Sequence, residues 1–352
     1  MSPKLFTPSI LACCLLLAGF AAAADKPEVV ILATGGTIAG SAETGTQSGY
    51  TSGEVGVDIL INAVPQVADL AAVRGEQISN VGSQDMSDAI WLKLAGRIGE
   101  LQARGDVDGI VITHGTDTLE ETAYFLDLVL DNPKPVVLTA AMRPSTALSA
   151  DGPLNLFNAV GVAADEGARD RGVLVAVNDD IHNARAVTKT NTTDVQTFKS
   201  PERGLPGVSA YGSNRYFHPP QRQGVKAPFD VSKVEALPRV DVIYMTADAS
   251  ADLVDAAVAA GAKGIVTAGV GNGNMPAAVL EAVRRAVQNG VVVVRSSRVM
   301  SGSTGRNVEV DDDALGTVAA GDLNPAKARV LLKLALLQTI DAAEIQEIFE
   351  NY

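Results

Sequence analysis

Residues 29–40 read VVILATGGTIAG. The apolar run 29–33 has the length and β-branched content of a buried strand, and it stops abruptly at Thr34-Gly35-Gly36-Thr37. The paired glycines permit positive φ and close backbone approach, which leaves Thr37 on a tight turn among N–H groups able to donate. That arrangement suits a nucleophile. A structural turn holding an ordinary threonine is the plainer reading of the same letters.

Residues 109–124, GIVITHGTDTLEETAY, repeat the design. A buried strand ends at Thr113, a glycine follows, and Thr116 and Asp117 precede a helix carrying Leu119, Ala123, Leu126 and Leu130. Asp117 also suits the start of a helix for its charge alone. Further strands are expected at 135–140 and 172–177. Ser87 is placed to cap a helix whose apolar positions Ile90, Leu94, Ile98 and Leu101 recur at helical spacing. This alternation predicts right-handed βαβ crossovers on a parallel sheet, with ligands beyond the carboxyl ends of the strands.

Residues 218–239 are rich in proline and charge and read as a linker, after which strands are expected at 240–245, 264–268 and 291–294. Alanine-rich segments such as 249–260, and the chain from Pro325 onward, read as helical. The fold class expected is α/β, with two doubly wound domains on mostly parallel sheets. The larger is N-terminal (25–217) and the smaller C-terminal (240–352).

The first 24 residues read as an export signal leading to the periplasm. Lys4 supplies the positive start, 10–20 is an apolar core too short to span a bilayer, and Ala22-Ala23-Ala24 offers cleavage before Asp25. Cys13 and Cys14 both lie inside the signal, so the exported chain is expected to hold neither disulfides nor cysteine-bound metal. Lipid attachment at Cys13 is a competing reading that leaves only a very short apolar core. Removing Lys4 makes the mature chain more negative than the −13 of the full sequence, and no basic stripe offsets this. Nucleic acid and anionic lipid are therefore disfavoured as partners, and no apolar run after Asp25 is long enough to span a membrane.

Residues 40–56 are rich in glycine, serine and threonine around Tyr50, and form either a lid or an idle loop. Ser83-Gln84-Asp85 lies in a short polar stretch before the capped helix, and Lys189 lies in VTKTNTTD at 187–194, where Asn191-Thr192-Thr193 also matches a glycosylation acceptor. Loops 271–274 and 301–309 follow strands of the second domain. His114, His182 and His218 lack metal-ligand spacing, and Asp311-Asp312-Asp313 reads as a solvated turn, so neither metal nor cofactor is expected. There is no G-x-S-x-G elbow or phosphate loop, and Asn274 stands where a dinucleotide fingerprint after Gly269-Val270-Gly271 needs glycine. A threonine nucleophile needs a base, for which Lys189, Asp117 and Tyr50 are candidates. Thr116, Lys189 and Asp117 together suit a hydroxyl–lysine–carboxylate relay.

TGGTIAG at 34–40, SQD at 83–85, HGTDT at 114–118 and KTNTTD at 189–194 together resemble the bacterial exported type II L-asparaginase family, which includes the glutaminase-asparaginases. The likeness continues through AMRPST (141–146), SADGPLNL (149–156), AGVGNGN (268–274), VRSSRV (294–299) and LNPAKAR (323–329). The resemblance implies an amidohydrolase in which Thr37 attacks the side-chain amide of L-asparagine. Thr116, Lys189 and Asp117 would form a second triad, with Thr116 placing the water and Tyr50 closing over Thr37. It further implies that Ser83, Gln84 and Asp117 hold the α-carboxylate and α-amino groups. Asn274 and Glu309 would enter from a neighbouring subunit of a homotetramer. Backbone N–H groups at Gly36 and Thr116 are candidates for the oxyanion hole. Glutamine is longer by one methylene, which a pocket discriminates by only about 1–3 kcal/mol, so secondary glutaminase activity is expected. Strong glutaminases of the family tend to carry serine at the position of Asn274, which favours asparagine here. The contrasting expectations are an exported amino-acid binding protein without turnover and a nicotinamide-dependent oxidoreductase.

Overall fold

A computed structural model describes residues 26–40, 44–45, 56–222 and 224–352. The export signal, its cleavage site and Tyr50 lie outside the described residues. In chain order the strands of the first domain are β1 (Glu28–Gly35), β2 (Ala72–Val81), β3 (Gly109–Thr113), β4 (Val136–Thr139), β5 (Val173–Val177), β6 (Asp180–Asn183), β7 (Thr188–Lys189), β8 (Phe198–Lys199), β9 (Gly207–Ala210) and β10 (Ser213–Tyr216). Those of the second are β11 (Val240–Tyr244), β12 (Gly264–Gly269), β13 (Val292–Ser297) and β14 (Val318–Ala319).

Among the described residues the first domain is built on an eight-stranded sheet in the order β10-β9-β6-β5-β4-β3-β1-β2. The five strands from β2 to β5 run parallel, and β6, β9 and β10 extend the sheet antiparallel. The central strands are covered on both faces, which is why they read as unbroken apolar runs. Val30, Leu32, Ile110 and Ile112 face the helices Asp88–Gln102 and Leu119–Val129, whereas Val29, Ile31 and Val111 face the helix Gly152–Ala163. Each fully buried side chain of this kind contributes about 1.5–3 kcal/mol.

The expectation that every crossover is right-handed fails at one place. From β2 to β3 and from β3 to β4 the chain moves the same way across the sheet, with its helices on one face. From β4 to β5 it continues in that direction with its helix on the opposite face. That crossover has the opposite hand to the other two, a rare arrangement.

The second sheet, β11-β12-β13-β14, is parallel throughout. Helices Asp252–Ala259 and Ala277–Gln288 cover one face, and Pro325–Ala335 and Ala342–Asn351 the other. The helices Leu119–Val129 and Pro325–Ala335 pack together, so one apolar cluster runs from Trp91 and Phe125 through to Leu331 and Phe349. Phe229, 2% exposed, and Leu237 join that cluster, so the stretch expected to be a linker is packed rather than free.

The sheet order also positions a crevice. The chain leaves the carboxyl end of β1 towards β2 and the carboxyl end of β3 towards β4, in opposite directions. Thr37 and Thr116 both follow these two ends, at the switch point where α/β sheets bind ligands.

Candidate active site

Beyond β1, Gly35 and Gly36 have φ of +112° and +85°, which side chains other than glycine adopt only with strain. Gly36 N–H donates to the Val81 carbonyl at 3.0 Å, tying the turn to the end of β2. The Gly36 N–H, expected from the sequence as a candidate oxyanion donor, is occupied within the turn. A Cβ on Gly36 would stand 2.3 Å from Gly115 Cα, and one on Gly115 would stand 2.6 Å from Ser83 Oγ. The turns that carry Thr37 and Thr116 therefore meet backbone against backbone, with the Ser83 side chain packed onto Gly115, and Thr37, Thr116 and Ser83 are each no more than 6% exposed. Thr37 opens a short 3-10 turn, Thr37–Ala39, whose carbonyl accepts from Gly40 N–H at 2.8 Å.

Lys189 arrives from the short antiparallel ribbon of β7 and β8. Its Nζ donates to Thr116 Oγ1 at 3.0 Å and to Asp117 Oδ1 at 2.6 Å. The lysine side chain is 18% exposed, while that of Asp117 is 60% exposed and open to a ligand. Thus three residues picked out in the sequence form one bonded set. An ammonium held between a hydroxyl and a carboxylate orients that hydroxyl and favours proton transfer through it.

Ser83 Oγ accepts from Asp117 N–H at 3.1 Å, and Thr118 Oγ1 donates to the Ser83 carbonyl at 2.7 Å, so the Ser83–Asp85 turn and the Asp117 turn are stitched together. Gln84 is exposed, with its amide lying over Gly82. Behind the Thr116 turn lies a chain of bonds that the sequence reading missed. His114 Nδ1 meets the Gly115 carbonyl at 2.7 Å, His114 Nε2 meets Thr122 Oγ1 at 2.9 Å, and Thr122 Oγ1 accepts from Trp91 Nε1 at 2.8 Å. A carbonyl can only accept, so Nδ1 carries a proton, and in the neutral ring Nε2 is left to accept from the Thr122 hydroxyl. Burial favours that neutral form, pushing the imidazole down to about 4 against the pull of the Gly115 carbonyl.

Asn274 and Glu309 stand together on the second domain, with Asn274 Nδ2 donating to Glu309 Oε2 at 2.6 Å. Their loops are organised by Arg295, which donates to the carbonyls of Asn272 at 3.2 Å and Gly305 at 3.1 Å and pairs with the buried Asp312 at 2.6 Å. The bonds that join Thr116, Asp117, Lys189 and Ser83 to one another all lie within the first domain, so Asn274 and Glu309 make a separate cluster within the chain. Tyr50 lies outside the described residues.

Residues 28–222 match the family model described as Asparaginase, N-terminal, and residues 239–349 match the Glutaminase/Asparaginase C-terminal domain. The chain is 54% identical to L-asparaginase 2 of Escherichia coli, covering 96% of this chain and 97% of that one. It is 54% identical to a probable periplasmic L-asparaginase of Haemophilus influenzae, covering 94% of each, and 44% identical to a glutaminase-asparaginase of Pseudomonas fluorescens, covering 99% of each. A crystal structure of a probable cytoplasmic L-asparaginase from Campylobacter jejuni superposes with a TM-score of 0.89 at 46% identity, over 93% of this chain and 100% of that one.

Proposed function

The chain belongs to the asparaginase family, and from that premise we propose that it hydrolyses the side-chain amide of L-asparagine to L-aspartate and ammonia, with L-glutamine as a secondary substrate. The hydrolase names of these relatives lend no support to a binding protein without turnover. Thr37 Oγ attacks the amide carbon, and its proton passes by way of a base to the departing nitrogen, so that ammonia leaves an ester on Thr37. Water then attacks the ester, giving aspartate and the free hydroxyl. The base for Thr37 is one of Lys189, Asp117 and Tyr50; Thr116, held by Lys189 and Asp117, places the water. The Thr116 N–H serves the oxyanion, a role worth about 3 kcal/mol for a well-placed donor.

Ser83, Gln84 and Asp117 receive the α-carboxylate and α-ammonium groups. Asn274 and Glu309 complete the site from a neighbouring subunit of a homotetramer, with Tyr50 closing over it. The chain is exported to the periplasm after cleavage near Ala24, and it divides into a catalytic domain, 25–217, a linker and a second domain, 240–352.

The observation that carries this reading is the bonded set of Thr116, Asp117 and Lys189, packed through Gly115 against the turn that ends at Thr37. Ammonia release from asparagine tests it. Thr37→Val is expected to lower kcat roughly 10⁴-fold or more, and Lys189→Met roughly 10²–10⁴-fold while still folding. Equal rates for the wild type and Thr37→Val would remove Thr37 as the nucleophile.

A further inference from the structure

The reach of Lys189 is set by its backbone, which is held by a first-domain carboxylate that is itself tied to the second domain. Lys189 N–H donates to Glu120 Oε2 at 2.9 Å, and the other oxygen of the same carboxylate, Oε1, accepts from Asn324 Nδ2 at 2.9 Å. Asn324 caps the helix Pro325–Ala335 through its Oδ1, which takes the Lys327 N–H at 2.9 Å, so its amide group cannot flip without losing the cap. One turn on, the buried Lys327 Nζ donates to the carbonyls of Arg185, at 2.8 Å, and Val187. The stretch leading into and ending at Lys189 is therefore held at 185, 187 and 189 by one helix start of the second domain and one carboxylate. The LNPAKAR stretch, which supplies Asn324 and Lys327, has no other part in the proposed reaction.

We propose that Glu120 and Asn324 form a latch between the domains that positions Lys189, so that a residue touching no substrate sets the catalytic rate. Resting on the hydrolase reading above, this adds Glu120 and Asn324 as positioning residues. The carboxylate needs both of its oxygens as acceptors. Glutamine at 120 can serve Lys189 with its oxygen, but its NH₂ then faces the NH₂ of Asn324. Aspartate at 324 keeps the cap, because its oxygen still accepts from Lys327 N–H, but it sets a carboxylate against that of Glu120. Together the two changes are complementary: the glutamine oxygen takes Lys189 N–H and its NH₂ donates to the new carboxylate. The pair reverses one hydrogen bond and leaves the grip on Lys189 intact.

Steady-state turnover of asparagine is to be measured with thermal unfolding and hydrogen exchange of the Lys189 amide for the wild type, Glu120→Gln, Asn324→Asp and the double variant. Displacing a catalytic group by an ångström costs up to about 10²-fold. Each single variant is expected to lose roughly tenfold or more in kcat, with little change in KM and faster exchange at Lys189. The double variant is expected to recover most of both. Should a single variant fail to fold, Glu120→Asp replaces it, keeping the charge but shortening the reach, with the same expectation. Singles that lose thermal stability yet keep wild-type kcat, or a double no better than the worse single, would overturn the latch. A wild type releasing no ammonia would sink the hydrolase reading instead, and the latch would then fall if exchange at Lys189 were the same in every variant.

Discussion

Gly36 and Gly115 meet with no room for a side chain on either: a Cβ on Gly36 would lie 2.3 Å from Gly115 Cα. The two strand ends that present Thr37 and Thr116 can approach only because both turns carry glycine. At Gly115 an added Cβ would meet Ser83 Oγ at 2.6 Å and Gly36 Cα at 3.1 Å, so Gly115→Ala must push three loops apart. The expected outcome is a loss of about 1–3 kcal/mol of stability from overpacking and up to about a 10²-fold fall in kcat/KM from displacement of Thr116. Chemical denaturation and ammonia release check the two effects separately. Wild-type turnover in this variant would show that the turns can separate without consequence for the site.

Ser83→Ala removes the acceptor of the Asp117 N–H and a hydroxyl proposed to meet the substrate carboxylate. The Asp117 N–H loses its acceptor, at a cost of about 0.5–1.5 kcal/mol. The proposed role concerns substrate binding, so KM for asparagine is expected to rise about tenfold, with a smaller change in kcat. A fall in kcat at unchanged KM would move Ser83 from binding to the chemical step.

His114 gives a pH dependence whose sign is fixed by its burial. Its pKa is lowered from the ordinary 6.5 to about 4. Above pH 6.5 the imidazole is neutral whether the chain is folded or not. Between 6.5 and 4 the unfolded chain takes up a proton that the folded one refuses, so this contribution to stability is complete above pH 6.5 and is lost as the pH falls towards 4. The loss amounts to about 3 kcal/mol. His114→Gln is free of it. The stability gap between wild type and variant, from urea unfolding, should therefore narrow from pH 7 to pH 4, and an equal gap at both would show that His114 titrates normally.

The central strands were legible because they are buried on both faces. The apolar runs at 29–33 and 109–113 correspond to β1 and β3, the latter with the same bounds. β2 left no such run. It is an edge strand, AVRGEQISNV, largely half-exposed, whose Glu76 pairs with Arg74 and Arg97. The strands β6, β9 and β10 are only four residues each and carry polar residues, so they left no apolar run either. In the helix Asp88–Gln102 the buried stripe passes through Trp91 rather than Ile90, and the helical tail divides where Asp341 caps a second helix. At the site, residue types and the family resemblance picked out Lys189, but its meeting with Thr116 closes a loop too long for spacing to foretell. His114, Glu120 and Arg295 were passed over because polar residues are ordinarily solvated. Their partners come from distant segments or, for His114, from the helix behind it.

Arg295 and Asp312 form an ion pair at the centre of the second domain, the side chains 1% and 0% exposed. Burial pushes the Asp312 carboxyl up, but the Arg295 guanidinium, the Thr317 hydroxyl and the Asn307 N–H outweigh it and hold it below the usual carboxylate range. The pair is complete above the ordinary carboxylate pKa and is lost as the pH falls below it. Asp312→Asn at neutral pH leaves the guanidinium buried without its counter-charge, which costs about 3–5 kcal/mol. Exchanging both residues for apolar ones of similar size, Arg295→Met with Asp312→Leu, removes the charge and its partner together and should cost less. Yet that double variant also removes the donors to Asn272 and Gly305, whose loops carry Asn274 and Glu309. Stability and activity should therefore separate: the single variant is the less stable, while the double keeps more of its fold and loses asparagine turnover through a raised KM. Thermal unfolding beside steady-state kinetics decides it, and a double variant with wild-type KM would show that Arg295 supports the fold alone and not the loops proposed to meet the substrate.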